Sequence, residues 1–159
     1  MSPASTSPRS ALEDILPVRA MNALQIVKAV YEALGRGALG AALDALDERV
    51  SWELYAPNSV PFAGIWRGRA GVVRYFAELS ASVDIQTEQL SEFVATGDRV
   101  VAIGRLEGRV QGTSLVFNTP ITHIWELSGG RITRWRCLLD SAQVAACFLA
   151  APSYIRQAG

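Results

Sequence analysis

The architecture of this chain turns on residues 119–140, TPITHIWELSGGRITRWRCLLD. Two apolar runs flank Gly129-Gly130, a dipeptide that two-residue hairpin turns favour because both central residues take φ > 0. Ionisable groups interrupt the apolar pattern: His123, the only histidine of the chain, and the terminal Asp140. Polar groups are costly to bury unless they are partnered. A ligand pocket is one reason to place them there.

Upstream, strands are expected at residues 85–95, 99–110 and 114–127, with Gly97-Asp98 as a turn, and the hairpin's second arm spans 131–139. Residues 23–34 carry Ala23, Leu24, Ile26, Val27, Val30, Tyr31 and Leu34 at the spacing of one helical face. Further helices are expected at 38–46, 70–82 and 141–149. VSWELY at 50–55 alternates like a strand, Pro57, Asn58 and Pro61 end it, and 62–69 is turn-rich. Helices first and a run of strands afterwards define an α+β class rather than a parallel βαβ sheet.

The 159 residues are enough for one domain with a core. Half of them are hydrophobic and 19% charged, a globular composition. Lysine plus arginine equals aspartate plus glutamate, 15 each, which argues against an electrostatic nucleic-acid binder. Low net charge also favours self-association, so a homodimer is expected. No run approaches a transmembrane helix, and no secretory signal precedes Cys137 and Cys147. A reduced, cytoplasmic protein with no membrane partner follows. One histidine and two separated cysteines are a poor zinc supply. Neither metal nor cofactor is expected. Residues 1–20 read as a mobile tail with a short helical turn at 11–16, residues 21–149 as the domain and 150–159 as a C-terminal tail. Residues 35–40 spell G-x-G-x-x-G, but they follow a helix rather than a strand, which excludes a dinucleotide fingerprint.

Hairpin geometry orders the ionisable groups. A two-residue loop at Gly129-Gly130 sets His123 opposite Arg136 and Thr119 opposite Asp140. A turn centred on Thr113 sets Glu107 opposite Thr119 and Arg105 opposite Ile121. Glu107, Thr119 and Asp140 then share one rung spanning roughly 10 Å, with Arg105 one step along the same face. An arginine between two carboxylates holds both by charge-assisted bonds. His123 stands roughly 13 Å along the strand from Thr119. A register slip of one residue would reverse these facings.

The helix and strand order, together with FAGIWRGRAGVVRYF, TGDRVVAIGRLEG and THIWELSGGRITRWRCLLD, resembles the SnoaL-like branch of the nuclear transport factor 2-like superfamily over about residues 21–149. The resemblance implies a cone-shaped, curved antiparallel sheet that wraps around the N-terminal helices, encloses an apolar pocket and is commonly dimeric. Members include polyketide cyclases, ketosteroid isomerases, limonene epoxide hydrolases and non-catalytic binding modules. Asp140 matches the terminal-strand aspartate that acts as base in the cyclases and hydrolases, and His123 a strand histidine common in SnoaL-like sequences. Arg105 and Glu107 resemble the Arg-x-Asp pair of the hydrolases. Trp52 and Leu54 stand where those hydrolases hold water with tyrosine and asparagine, and no aspartate occupies the isomerase base position near Leu54 and Tyr55.

Asp140, Glu107, Arg105 and His123 are therefore the candidate catalytic residues. Each has a plainer reading: an N-cap for Asp140, a surface ion pair for Glu107 and Arg105, a satisfied buried imidazole for His123. Trp52, Tyr55, Phe62, Trp66, Phe76, Ile103, Phe117, Ile121 and Trp125 are candidates to line the pocket. Most of them are core by default, and Tyr55 has a hydroxyl for a carbonyl or oxyanion. The expected function is cofactor-independent acid/base chemistry on an apolar small molecule of polyketide, terpenoid or steroid type. The alternatives are a binding module without turnover and a structural dimerisation domain.

Overall fold

The computed structural model describes residues 21–151. The expected N-terminal tail, its helical turn and residues 152–159 lie outside the described residues. Helix α1 (Ala23–Gly35) opens on a capping box: Asn22 Oδ1 accepts from the Gln25 amide at 2.9 Å, and Gln25 Oε1 accepts from the Asn22 amide at 3.0 Å. Its stripe of Val27, Val30 and Ala33 is buried. A short α2 (Leu39–Asp44) leads into β1 (Leu46–Leu54).

The strand β1 begins earlier than sequence periodicity predicts. Asp47, Glu48 and Arg49 hide its alternation, but Leu46 and Val50 both point inward and are buried. The Arg69 guanidinium donates twice to the Leu46 carbonyl, at 3.1 and 2.7 Å, fixing this entry into the sheet. Within the turn-rich segment a short β2 (Gly64–Arg67) pairs antiparallel with β1, setting Trp66 beside Trp52. Then come α3 (Gly68–Ser82), β3 (Val83–Thr96), β4 (Arg99–Val110), β5 (Val116–Ser128), β6 (Arg131–Leu139) and α4 (Ser141–Leu149).

The six strands form one curved, unclosed sheet in the order β2-β1-β6-β5-β4-β3. Neighbours run antiparallel except β1 and β6, which are parallel. Curvature has a local cause in β4. A Cβ at Gly104 would lie 1.8 Å from the Gln89 carbonyl oxygen, and one at Gly108 would lie 2.6 Å from the Phe117 ring. Only glycine lets β3 and Phe117 close in this far. Register shifts in β3 at Ile85/Thr87 and Leu90/Glu92 add further bend. The inner face packs on Val27 and Val30 of α1, Val72 and Tyr75 of α3, and Val144 and Phe148 of α4. No helix among the described residues is long and apolar enough to cross a membrane.

Candidate functional site

Two one-residue differences in register redistribute the groups expected on a single rung. The β5–β6 hairpin starts as expected, with Ser128 opposite Arg131 and Leu127 opposite Ile132. Thr133 is then extra: the pairing resumes as Glu126 with Arg134, and the Thr133 hydroxyl donates to the Glu126 carbonyl at 3.1 Å. This bulge sets His123 opposite Cys137 instead of Arg136. The β4–β5 turn spans four residues, 111–114, and is not centred on Thr113. Glu107 accordingly pairs with Asn118 and Arg105 with Pro120.

Arg105 and Glu107 therefore stand on the outer face. Arg105 Nε donates to Asn118 Oδ1 at 2.9 Å, and Asn118 Nδ2 donates to Glu107 Oε2 at 3.4 Å. Asp140 does reach Thr119, but through its backbone, whose amide donates to Thr119 Oγ1 at 2.9 Å. Its carboxylate is exposed and caps α4, accepting from the Gln143 amide at 3.2 Å. The expected rung of Glu107, Thr119 and Asp140 side chains does not form. The rung containing Thr119 pairs it with Leu106, and Leu106 with Glu88.

His123 is buried on the inner face of β5. Its Nδ1 lies 2.7 Å from the Tyr31 hydroxyl of α1. The Trp125 indole N–H donates to that hydroxyl oxygen at 2.9 Å. An indole can only donate, so the Tyr31 oxygen accepts from Trp125. With His123 protonated on Nε2, the Tyr31 O–H donates onward to Nδ1 and the chain runs in one direction. Burial holds His123 down at a pKa of about 4, so the ring is neutral near pH 7. Burial also pushes the Tyr31 hydroxyl far up, an effect the Trp125 hydrogen bond only partly opposes.

These groups belong to a chamber of about 80 Å³ between α1, α3 and the sheet. Trp52, Phe62, Tyr75, Trp125 and Trp135 supply most of its aromatic wall, and Cys137 and Leu139 line it from β6. Tyr31, Leu34, Phe76, Leu79, Ile85 and Glu88 line both this chamber and a vestibule of about 600 Å³, so the two adjoin. Glu88 is solvent-accessible at that junction, yet its many apolar neighbours raise its pKa by desolvation. Burial raises the pKa values of Tyr31, Tyr75 and Cys137, and the Glu88 charge adds a smaller push in the same direction. Trp52 and Trp135, paired on β1 and β6, stack with centroids 4.3 Å apart and planes 22° apart. Neither indole N–H has a hydrogen-bond partner among the described residues. Such a shielded donor costs about 1–3 kcal/mol. Among the described residues no cluster of three metal-ligating side chains occurs.

Of the residues expected to line a pocket, Trp52, Phe62, Phe76 and Trp125 do so. Tyr55 is exposed on the outer face, where its hydroxyl donates to Glu53. Ile103 faces outward as well, since the even-numbered residues of β4 are the buried ones. Trp66 donates its indole N–H to the Phe62 carbonyl at 3.1 Å, next to Tyr75. Phe117 and Ile121 are buried packing groups, Phe117 against the bare backbone of Gly108. Sequence reading missed Glu88 and the partnership of Tyr31. Tyr31 was visible on the buried face of its helix, but nothing distinguished it from a core aromatic. Glu88, within QTEQL, reads like any solvated edge residue.

A family model described as "SnoaL-like domain" matches residues 27–135. No curated protein matches the chain significantly. Among solved structures, an NTF2-like protein from Burkholderia xenovorans is 28% identical, with a TM-score of 0.74 over 82% of this chain and 99% of its own. TerC, co-crystallised with polyporic acid, is 20% identical, with a TM-score of 0.68 over 80% of this chain and 98% of its own. A candidate polyketide cyclase from Xanthomonas campestris is 23% identical, with a TM-score of 0.65 over 79% and 96%. At these lower identities the likeness is one of fold. The family match spans more than half of the residues, and the helices and curved sheet agree with it: the chain belongs to the SnoaL-like family of the NTF2-like fold.

Proposed function

We propose that the protein is a cofactor-independent acid/base enzyme on a hydrophobic, carbonyl-bearing small molecule, of the polyketide-cyclising or isomerising type. One observation carries this reading: the Tyr31–His123 hydrogen bond lies inside an aromatic chamber with a carboxylate, Glu88, at its mouth. Glu88, a stronger base for its raised pKa, takes the proton from a carbon next to the carbonyl. Negative charge then develops on the carbonyl oxygen. His123, neutral and held by Tyr31 at Nδ1, donates from Nε2 to that oxygen. The enolate carbon then attacks a second carbonyl, whose π bond opens to an alkoxide that takes the proton back from Glu88 as the ring closes, or Glu88 returns the proton at another carbon. Ligand-bearing and candidate-cyclase structures of the same fold support a small-molecule pocket. Epoxide opening has less support, because Arg105, Glu107 and Asp140 lie away from the chamber.

The test is deuterium exchange at the activated carbon of a bicyclic β-diketone, followed by NMR. The protein is expected to accelerate exchange, and Glu88→Gln to cut the rate by about 10²-fold or more. An unchanged rate in that variant removes Glu88 as the base. A second reading, binding without turnover, is favoured by the small volume and uncharged inner wall of the chamber. It expects ligand recovered unchanged and no exchange by the wild type. A purely structural dimerisation role expects no chamber.

A further inference from the structure

Four tryptophans serve this fold, and they divide in two. Trp66 donates to the Phe62 carbonyl and Trp125 to the Tyr31 hydroxyl. Trp52 and Trp135 donate to nothing among the described residues, although they are 2% and 4% exposed. Native interiors satisfy nearly all buried donors, and an exception calls for a reason. Both unpaired indoles sit in the chamber wall, stacked on each other and joined by adjacent strands. The neighbouring Tyr75 hydroxyl also lines the chamber and makes no hydrogen bond among the described residues. This part of the wall therefore holds two shielded N–H donors without a partner, beside the Tyr75 side chain, and the carboxylate stands apart at the mouth.

We infer that the Trp52–Trp135 stack is a binding element for the acceptor oxygen of a ketone-type ligand, which enters oxygen first. A pure hydrocarbon would fill the aromatic space and leave both donors unpaired. A ketone or its enolate oxygen pairs them, while the rest of the ligand occupies the vestibule. The inference rests on the small-molecule reading of the chamber and narrows it to ligands carrying a carbonyl at their buried end.

Two probes of nearly equal shape and ring current separate oxygen recognition from apolar filling: 1-tetralone, and tetralin as its carbon-only counterpart. Indole N–H resonances of uniformly ¹⁵N-labelled full-length protein are followed during titration. Tetralone is expected to shift the Trp52 and Trp135 resonances downfield relative to tetralin and to leave Trp66 in place. It should bind about tenfold more tightly than tetralin, and Trp52→Phe or Trp135→Phe should each reduce that preference roughly three- to tenfold. Equal affinity for the two probes, or identical indole shifts with both, overturns the inference even if neither variant folds. The acid/base reading fails separately: it falls if exchange is unaffected in Glu88→Gln, an outcome that leaves the tetralone-specific indole shifts standing.

Discussion

On the inner face of β5 and β6, His123, Trp125, Trp135 and Cys137 are buried among aromatics. On the outer face of the same strands, Glu126 lies within ion-pair distance of Arg99, Arg134 and Arg136, and Arg134 holds Glu53. Desolvation sets the protonation states inside. It depresses His123, raises Tyr31 and Cys137, and keeps all three neutral near pH 7. Outside, hydrogen bonding from Arg134 comes first and holds Glu53 down at a pKa of about 2, with Tyr55 and Ser51 as further donors. Glu53 is covered chiefly by its own partners, and Arg134 stays 39% exposed. One sheet thus keeps a neutral chemical interior and a charged exterior, separated by a single step along each strand.

The sharpest way to break this contrast is acid. The folded pKa of His123, about 4, lies below its ordinary 6.5. The unfolded chain therefore takes up the proton first as pH falls. Stability is full above about pH 6.5 and declines as pH falls through that value towards 4, by roughly 3 kcal/mol. Glu88, with its raised pKa, works in the opposite direction, so the difference between wild type and His123→Gln is the quantity to measure. Urea unfolding from pH 7.5 to 4 should show a steeper decline in the wild type. Parallel curves would mean that His123 is solvated. Next in size is Tyr31→Phe, which leaves both His123 Nδ1 and the Trp125 N–H without their shared partner. A loss of about 2 kcal/mol is expected in chemical denaturation, and a loss below 0.5 kcal/mol would show that the network contributes nothing.

The outer face should respond more weakly and in a different window. Glu53→Gln removes the charge from a carboxylate that accepts from Arg134, Tyr55 and Ser51. Solvent around Arg134 screens the pair, so about 1.5 kcal/mol is expected. Because the folded pKa is depressed, this stability is present above the unfolded value of 4.5 and is lost as pH falls through about 2. Calorimetry between pH 5 and 2 should give converging melting temperatures for the variant and the wild type. A gap that stays constant over that range would remove the ion pair as its origin.

How much of this was legible beforehand follows the same division. Helix stripes, strand alternation and turn signals placed β4, β6 and α4 at the residues observed: β4 alternates without a break, and β6 is bounded by the Gly129-Gly130 turn and the Asp140 cap. They could not place the extra Thr133, whose bulge depends on a backbone acceptor in the facing strand. They could not place the four-residue turn at 111–114 either. Each irregularity moves a pairing by one residue, and one residue exchanges the two faces. The site inherited those errors: Glu107 and Arg105 crossed to the outside, and Glu88 took the inner carboxylate position. His123 was legible as a lone polar group in an apolar strand. Its partner Tyr31, 92 positions away, was not, since their contact exists only once α1 packs on the sheet.

Asp140 belongs to neither face and gives the smallest, most discriminating test. As an N-cap, its side-chain oxygen accepts from Gln143, a role asparagine fills almost equally well. Asp140→Asn should therefore cost only a few tenths of a kcal/mol, and Asp140→Ala about 1 kcal/mol. Both variants should retain wild-type deuterium exchange and ligand binding once corrected for the folded fraction, because the carboxylate lies outside the chamber. The base role implied by resemblance to cyclases and epoxide hydrolases makes the opposite ordering: asparagine would keep the fold and lose the chemistry. A folded Asp140→Asn protein without exchange activity would thus place the working carboxylate at the end of β6 rather than on β3. The neutral interior would then be a binding wall alone, with its chemistry at the C-terminal end of β6.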